Sequence, residues 1–315
     1  MPQARGGRRG GFSTAVVAAT LFLLHRLSGG PLPAKGDEEP PPQSGRQAES
    51  EPEKPAADIA KKRLEVMKEH ALALRVTSSV EGWPTQLEPV PIFRYDDQTR
   101  GYVDGTVWRL GARGRPLAII TTELHPNYVG GGPRVVYDFL SLSPHPFKAA
   151  GGGAGWNSRG SAVAMKPLSN APAPAGMPAG RLSQMKKLSL RFTATQDLEE
   201  TDRVLVHLRR LPREIDRYVP AGPGNTVPEG TAAKEGGDVS SRADGGIFLF
   251  ANGRNPAIVL LIETDGTTWT YGAGRLSAPS TLTLLLDDEI VWKVPPARTA
   301  SSEGYSATNV PARFP

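Results

Sequence analysis

Two stretches of this chain repeat each other in the same order, and that self-similarity constrains the fold more than any single motif. Arg63-Leu64-Glu65-Val66-Met67-Lys68 aligns with Arg181-Leu182-Ser183-Gln184-Met185-Lys186. With Pro89 set on Pro212, Ile92, Arg94 and Tyr95 meet Ile215, Arg217 and Tyr218. Asp104-Gly105 meets Asp244-Gly245, and the match runs ungapped through Pro116/Pro256 to Glu123/Glu263. Tyr137 to Ser143 then meets Tyr271 to Ser277, and Trp156 and Trp292 close the two stretches. The order predicts a tandem duplication of α+β class, each copy one helix packed on an antiparallel β-sheet.

Each copy opens with a helix. Over 58–75, Ile59, Arg63, Val66, Met67, His70 and Leu74 recur at helical spacing, with Asp58 as N-cap. In the second copy Leu182, Met185, Leu188 and Phe192 form the same stripe behind Pro178. Strands follow. The apolar runs 117–121 and 257–262 are expected as central strands covered on both faces. Gly and Asn in 111–116 and 251–256 suit tight hairpins, and Asp287-Asp288 turns a last one. The boundaries expected are 58–165 for the first copy, 166–177 for a Pro/Ala-rich linker and 178–296 for the second copy. Residues 297–315 are expected to be a frayed, disordered tail.

Ahead of the first copy, residues 1–34 combine a basic start with a short apolar stretch, Ala15 to Leu24, the layout of an export signal or N-terminal anchor. Residues 35–57 are rich in Pro and Glu and are expected to be a disordered tether. The predicted location is therefore the periplasm, the cell envelope or the exterior. Membrane contact is expected only through the N-terminal segment, should it stay uncleaved. The net charge of +5 includes Arg5, Arg8, Arg9 and Arg26 of the leader, which has no acidic residue, so the remainder is close to neutral. That leaves no clustered basic excess for nucleic acid. The absence of Cys excludes disulfides, a thiol nucleophile, thiolate metal sites and a Cys-linked lipid anchor.

Chemistry is sparse in the pattern. No G-x-S-x-G elbow is present, and Ser158 has the wrong surroundings for one. Gly130-Gly131-Gly132 and Gly151-Gly152-Gly153 lack the Lys-Ser/Thr of a phosphate loop. The catalytic candidates are Glu123 and His125, two residues apart and so on one face of a strand, and Glu263 and Asp265 at the aligned positions. The structural alternative is a solvent-facing strand end entering the loop that starts at Pro126, or an ion pair with Arg94 or Arg217. No metal site and no cofactor is assigned. Positions kept in both copies (Arg94/Arg217, Tyr95/Tyr218, Asp104/Asp244, Gly105/Gly245, Pro116/Pro256, Glu123/Glu263) are read as scaffold, because both copies need the same turns and ion pairs.

RLSQMKKLSLRFTAT, LRRLPREIDRY, DGGIFLFANGRNPAIVLLIE and WTYGAGRLS together resemble a family of uncharacterised exported bacterial proteins of the planctomycete type. The resemblance implies export and duplication, and it brings no activity and no site residue. The function expected is a non-enzymatic binding or interaction module. Its partner, a protein or a small ligand, would sit between the copies or on the loops 126–134 and 219–243. Two alternatives are an envelope hydrolase using Glu123 and His125, and a lipid or small-ligand carrier. The carrier would line its cavity with Trp108, Phe248, Ile119 and Val259.

Overall fold

The computed structural model describes residues 54–97, 102–128, 131–198, 204–219, 244–297 and 304–315. The leader and nearly all of the tether lie outside the described residues, as does the 219–243 loop beyond Val219. Helix α1 (Lys54–Ala73) leads into β1 (Arg75–Ser78), β2 (Phe93–Asp97), β3 (Tyr102–Leu110), β4 (Ala118–His125), β5 (Arg134–Ser141), β6 (Phe147–Gly151), β7 (Ala154–Ser158) and β8 (Lys166–Pro167). Helix α2 (Pro178–Ser189) leads into β9 (Phe192–Leu198), β10 (Val204–Arg210), β11 (Asp216–Tyr218), β12 (Asp244–Asn252), β13 (Asn255–Thr264), β14 (Trp269–Arg275), β15 (Thr281–Leu286), β16 (Glu289–Val294) and β17 (Tyr305–Pro311).

These strands form three sheets. One has the order β1-β6-β7, a second β17-β5-β4-β3-β2, and the largest β16-β15-β9-β10-β12-β13-β14-β8, with β11 also on β12. All the pairings are antiparallel. The five-stranded and nine-stranded sheets lie face to face. Val107, Ile119 and Leu140 from one meet Ile247, Leu249, Val259 and Leu261 from the other in one buried cluster. The alternate residues of the same strands face outward, because side chains switch sides at every step of a strand. Trp108, Ile120 and Phe139 pack under Met67, Ala71 and Leu74 of α1 and against Phe147 and Trp156. Phe248, Phe250, Leu260 and Ile262 pack under Met185 and Leu188 of α2 and against Leu282 and Leu284. Burying one such side chain contributes roughly 1.5–3 kcal/mol, so β4 and β13, covered on both faces, anchor the stack.

The expected α+β class, one helix on one sheet in each of two tandem copies, is overturned. The described residues are mostly β, with 49% in strands and 14% in helices, and one sheet curls into a half-barrel. Strands arise where composition argued against them. Phe147–Gly151 and Ala154–Ser158 are rich in Ala and Gly, yet β1 supplies a partner for β6 and every second side chain is buried. Lys166–Pro167, expected as linker, pairs with β14. Tyr305–Pro311, expected as a frayed tail, pairs with β5 over seven residues. α1 begins at Lys54, so Asp58 lies inside the helix and does not cap it.

Local turn chemistry follows the residues. Gly111, Gly114 and Gly253 take φ of 95°, 64° and 64° between β3 and β4 and between β12 and β13. Asp287 and Asp288 take φ of 50° and 68° at the β15–β16 turn, the pair of positive values a two-residue hairpin needs. Trp108, Phe248, Ile119 and Val259, expected to line a carrier's cavity, are fully buried in the packed clusters just described.

Candidate functional site

Glu123 and Glu263 occupy the same local setting. Gly105 lies opposite Glu123 across β3 and β4, and Gly245 lies opposite Glu263 across β12 and β13. Each glycine gives room to a tyrosine ring from the next strand, since an added Cβ would run into Tyr95 or Tyr218. Each tyrosine hydroxyl then donates to the glutamate, Tyr95 to Glu123 Oε1 at 2.8 Å and Tyr218 to Glu263.

The two sites differ in what else they hold. Glu263 also takes the guanidinium of Arg115, which reaches across from the β3–β4 turn of the other sheet; its Nε is 2.6 Å from Oε1. Asp265, aligned with His125, lies beyond the end of β13 and is exposed. Its Oδ1 accepts from Thr267 N (2.8 Å), Thr267 Oγ1 (2.7 Å) and Thr268 N (3.0 Å), and these bonds hold its carboxyl below the usual range. Asp265 is thus a turn residue and Glu263 an inter-sheet ion-pair residue, and the two do not converge. Arg94 and Arg217, considered as partners of the glutamates, instead bind Asp104 and Asp244.

Glu123 and His125 do converge. His125 Nε2 lies 3.1 Å from Glu123 Oε2, and its ring meets Tyr128 edge-on at 5.4 Å. A third group that the sequence reading passed over stands beside them. Asp138 lies opposite Thr121 on β5, one diagonal step from Glu123 on the inter-sheet face. It accepts from Thr121 Oγ1 at 3.3 Å and from the hydroxyl of Tyr305 on β17. Burial, then the negative charge of Glu123, push its carboxyl up to about 7, while the Tyr305 and Thr121 hydrogen bonds and the charge of Arg275 pull the other way. The same burial, together with Asp138, raises the Tyr305 hydroxyl well above its ordinary value. A single acid in the apolar run Val135 to Leu140 was the signal available in the sequence; its partner lay in the presumed tail.

A separate pocket of about 510 Å³ opens between α1 and the β2–β3 pair. Ala56, Ile59, Ala60 and Val103 give it an apolar wall. Arg63, Arg94 and Arg254 bring three guanidiniums, and Asp96 and Asp104 two carboxylates. Arg94 Nε donates to Asp104 Oδ1 at 2.9 Å, and Arg254 Nη1 to Asp96 Oδ1 at 2.6 Å. Neither Glu123 nor His125 lines this pocket. Among the described residues no cluster of three His, Asp or Glu side chains is arranged to hold a metal ion, and no helix is long and apolar enough to cross a membrane. No protein family, curated protein or solved structure matches the chain.

Proposed function

We propose that this chain is an exported, non-enzymatic binding module for a small ligand, which it takes in the pocket beside α1. The observation that carries the reading is the composition of that pocket, an apolar wall with three guanidiniums and two carboxylates around a space within the 300–1,000 Å³ range of small-molecule sites. Export rests on the basic and apolar leader 1–34, which lies outside the described residues. Two of the four catalytic candidates support the reading by their employment elsewhere: Glu263 joins the sheets and Asp265 closes a turn.

A second reading, hydrolysis at Glu123 and His125, draws on their 3.1 Å contact and on Asp138 beside them. General acid–base work needs such paired titratable groups within reach of a substrate. One experiment separates the two. The full chain, purified without added ligand, is analysed by native mass spectrometry and then incubated with ester, amide and phosphoester substrates. A bound small molecule that is released unchanged, with no turnover, supports the binding module. Turnover that is lost in Glu123→Gln or His125→Ala overturns it in favour of hydrolysis.

A further inference from the structure

We infer that β17 is a proton-controlled latch, its Tyr305 end docked on β5 while Asp138 keeps its proton and loosened when Asp138 ionises. The latch goes beyond the binding reading and does not depend on what the pocket takes. β17 is the outermost strand of the five-stranded sheet, with β5 as its neighbour. Pairing sets Tyr305 opposite Leu140 and Ala307 opposite Asp138, so Tyr305 and Asp138 are diagonal neighbours. Tyr305 is 1% exposed and donates its hydroxyl to Asp138, which is itself buried.

The two aligned stretches show that an edge of this kind closes without an acid. β14 aligns with β5, and its edge is likewise covered, by β8. Gly272 stands where β5 has Asp138. Val163 and Met165 lie over Gly272, and an added Cβ would strike them. One edge is thus closed by apolar packing and the other by a tyrosine on a carboxyl.

The groups that face Asp138 disfavour its ionisation in place. β4 brings Thr121 and Glu123, with His125 behind Glu123. Tyr128, which follows β4, brings a hydroxyl whose own ionisation is disfavoured by burial and by Asp138. β14 brings Arg275, whose guanidinium lies 5.3 Å from the centre of the Tyr305 ring. That guanidinium donates to the backbone carbonyls of Ser277 at 3.0 Å, Ser280 at 2.9 Å and Pro295 at 2.6 Å. Arg134, on β5 itself, donates to Asn309 Oδ1 at 2.8 Å. Among the described residues no guanidinium is therefore hydrogen-bonded to Asp138, and burial beside Glu123 holds its proton up to about pH 7. Hydration stabilises the ionised form, and an edge strand is the smallest unit whose movement admits water. The far end of β17 is held separately, by Arg134 on Asn309 and by the Ala312 amide on the Pro133 carbonyl at 3.1 Å. The opening therefore belongs to the Tyr305 end.

Amide hydrogen exchange of the full chain between pH 5 and 8 tests the latch. The reporters are residues 305–307 and Ser141, whose amide donates to the Gly304 carbonyl at 2.8 Å. Relative to Asp138→Asn at the same pH, their exchange in the wild type is expected to speed up by about a hundredfold from pH 5 to 8. It should also stay faster at every pH than that of the amides joining β12 to β13, which report opening of the whole molecule. A wild-type to variant ratio that does not change with pH overturns the latch. So does protection equal to that of β12 and β13, because β17 then opens only when everything does. Tyr305→Phe keeps the ring and removes a donor that favours ionised Asp138. Once intrinsic exchange is allowed for, acceleration in the wild type should level off near pH 7 and in Tyr305→Phe at a higher pH. Levelling at the same pH in both overturns the latch even if Asp138→Asn does not fold.

Discussion

Asp138→Asn is expected to make this protein more stable at pH 8 than the wild type. The substitution keeps an oxygen for Tyr305 to donate to and removes the charge. In the folded chain Asp138 titrates near 7, against an ordinary value of 3.8, because burial and the neighbouring Glu123 disfavour its ionised form. A folded-state value above the unfolded one favours the native state at low pH, where the group is protonated in both states. That advantage is lost as pH rises from about 4 through 7. At about 1.4 kcal/mol per pH unit, a displacement of roughly three units amounts to about 4 kcal/mol above pH 7. Urea denaturation of both proteins between pH 4 and 8 measures it. The variant's advantage should grow by about 1.4 kcal/mol per unit across pH 4 to 7 and then level off. A difference between the two proteins that stays constant with pH would show that Asp138 keeps an ordinary carboxyl and refute the reasoning.

Other perturbations probe separate parts of the structure. Glu263→Gln removes the charge that Arg115 pairs with between the sheets, with a loss of about 3–5 kcal/mol in urea denaturation; a loss below about 1 kcal/mol would mean the pair is solvated. Asp265→Ala, which removes only an exposed turn, should cost about 1 kcal/mol or less in the same assay. Gly245→Ala drives a methyl into the Tyr218 ring and should cost about 1–3 kcal/mol. Much of that loss should return in a Gly245→Ala/Tyr218→Leu double variant, and strict additivity of the two changes would contradict the steric account.

The sequence is most legible where neighbours along the chain decide the outcome. Positive-φ glycines at 111, 114 and 253 and the Asp287-Asp288 turn follow from residue type. So does the meeting of Glu123 with His125, which two-residue spacing on β4 requires. The runs 117–121 and 257–262 contribute to β4 and β13, central in their sheets as their unbroken apolarity implies. What composition conceals depends on distant partners. β6 and β7 exist because β1 pairs with one of them and Trp156 buries its ring, although Ala and Gly have little intrinsic preference for a strand. β17 is polar enough to read as a tail, yet β5 offers it an edge and Asp138 a partner for Tyr305. These added strands, together with a curled half-barrel sheet, turn the expected helix-on-sheet pair into a mostly β arrangement. The pocket was invisible for a related reason, since Arg63, Arg94 and Arg254 meet there from α1, β2 and the β12–β13 turn.

The most direct measurement compares backbone-amide NMR spectra of the full chain as purified and after removal of any co-purified small molecule, read residue by residue. Binding in the pocket predicts shifts concentrated at Ile59 to Arg63, Arg94 to Asp96 and Val103 to Asp104. Shifts centred on Glu123, His125 and Asp138, or none anywhere, would contradict it.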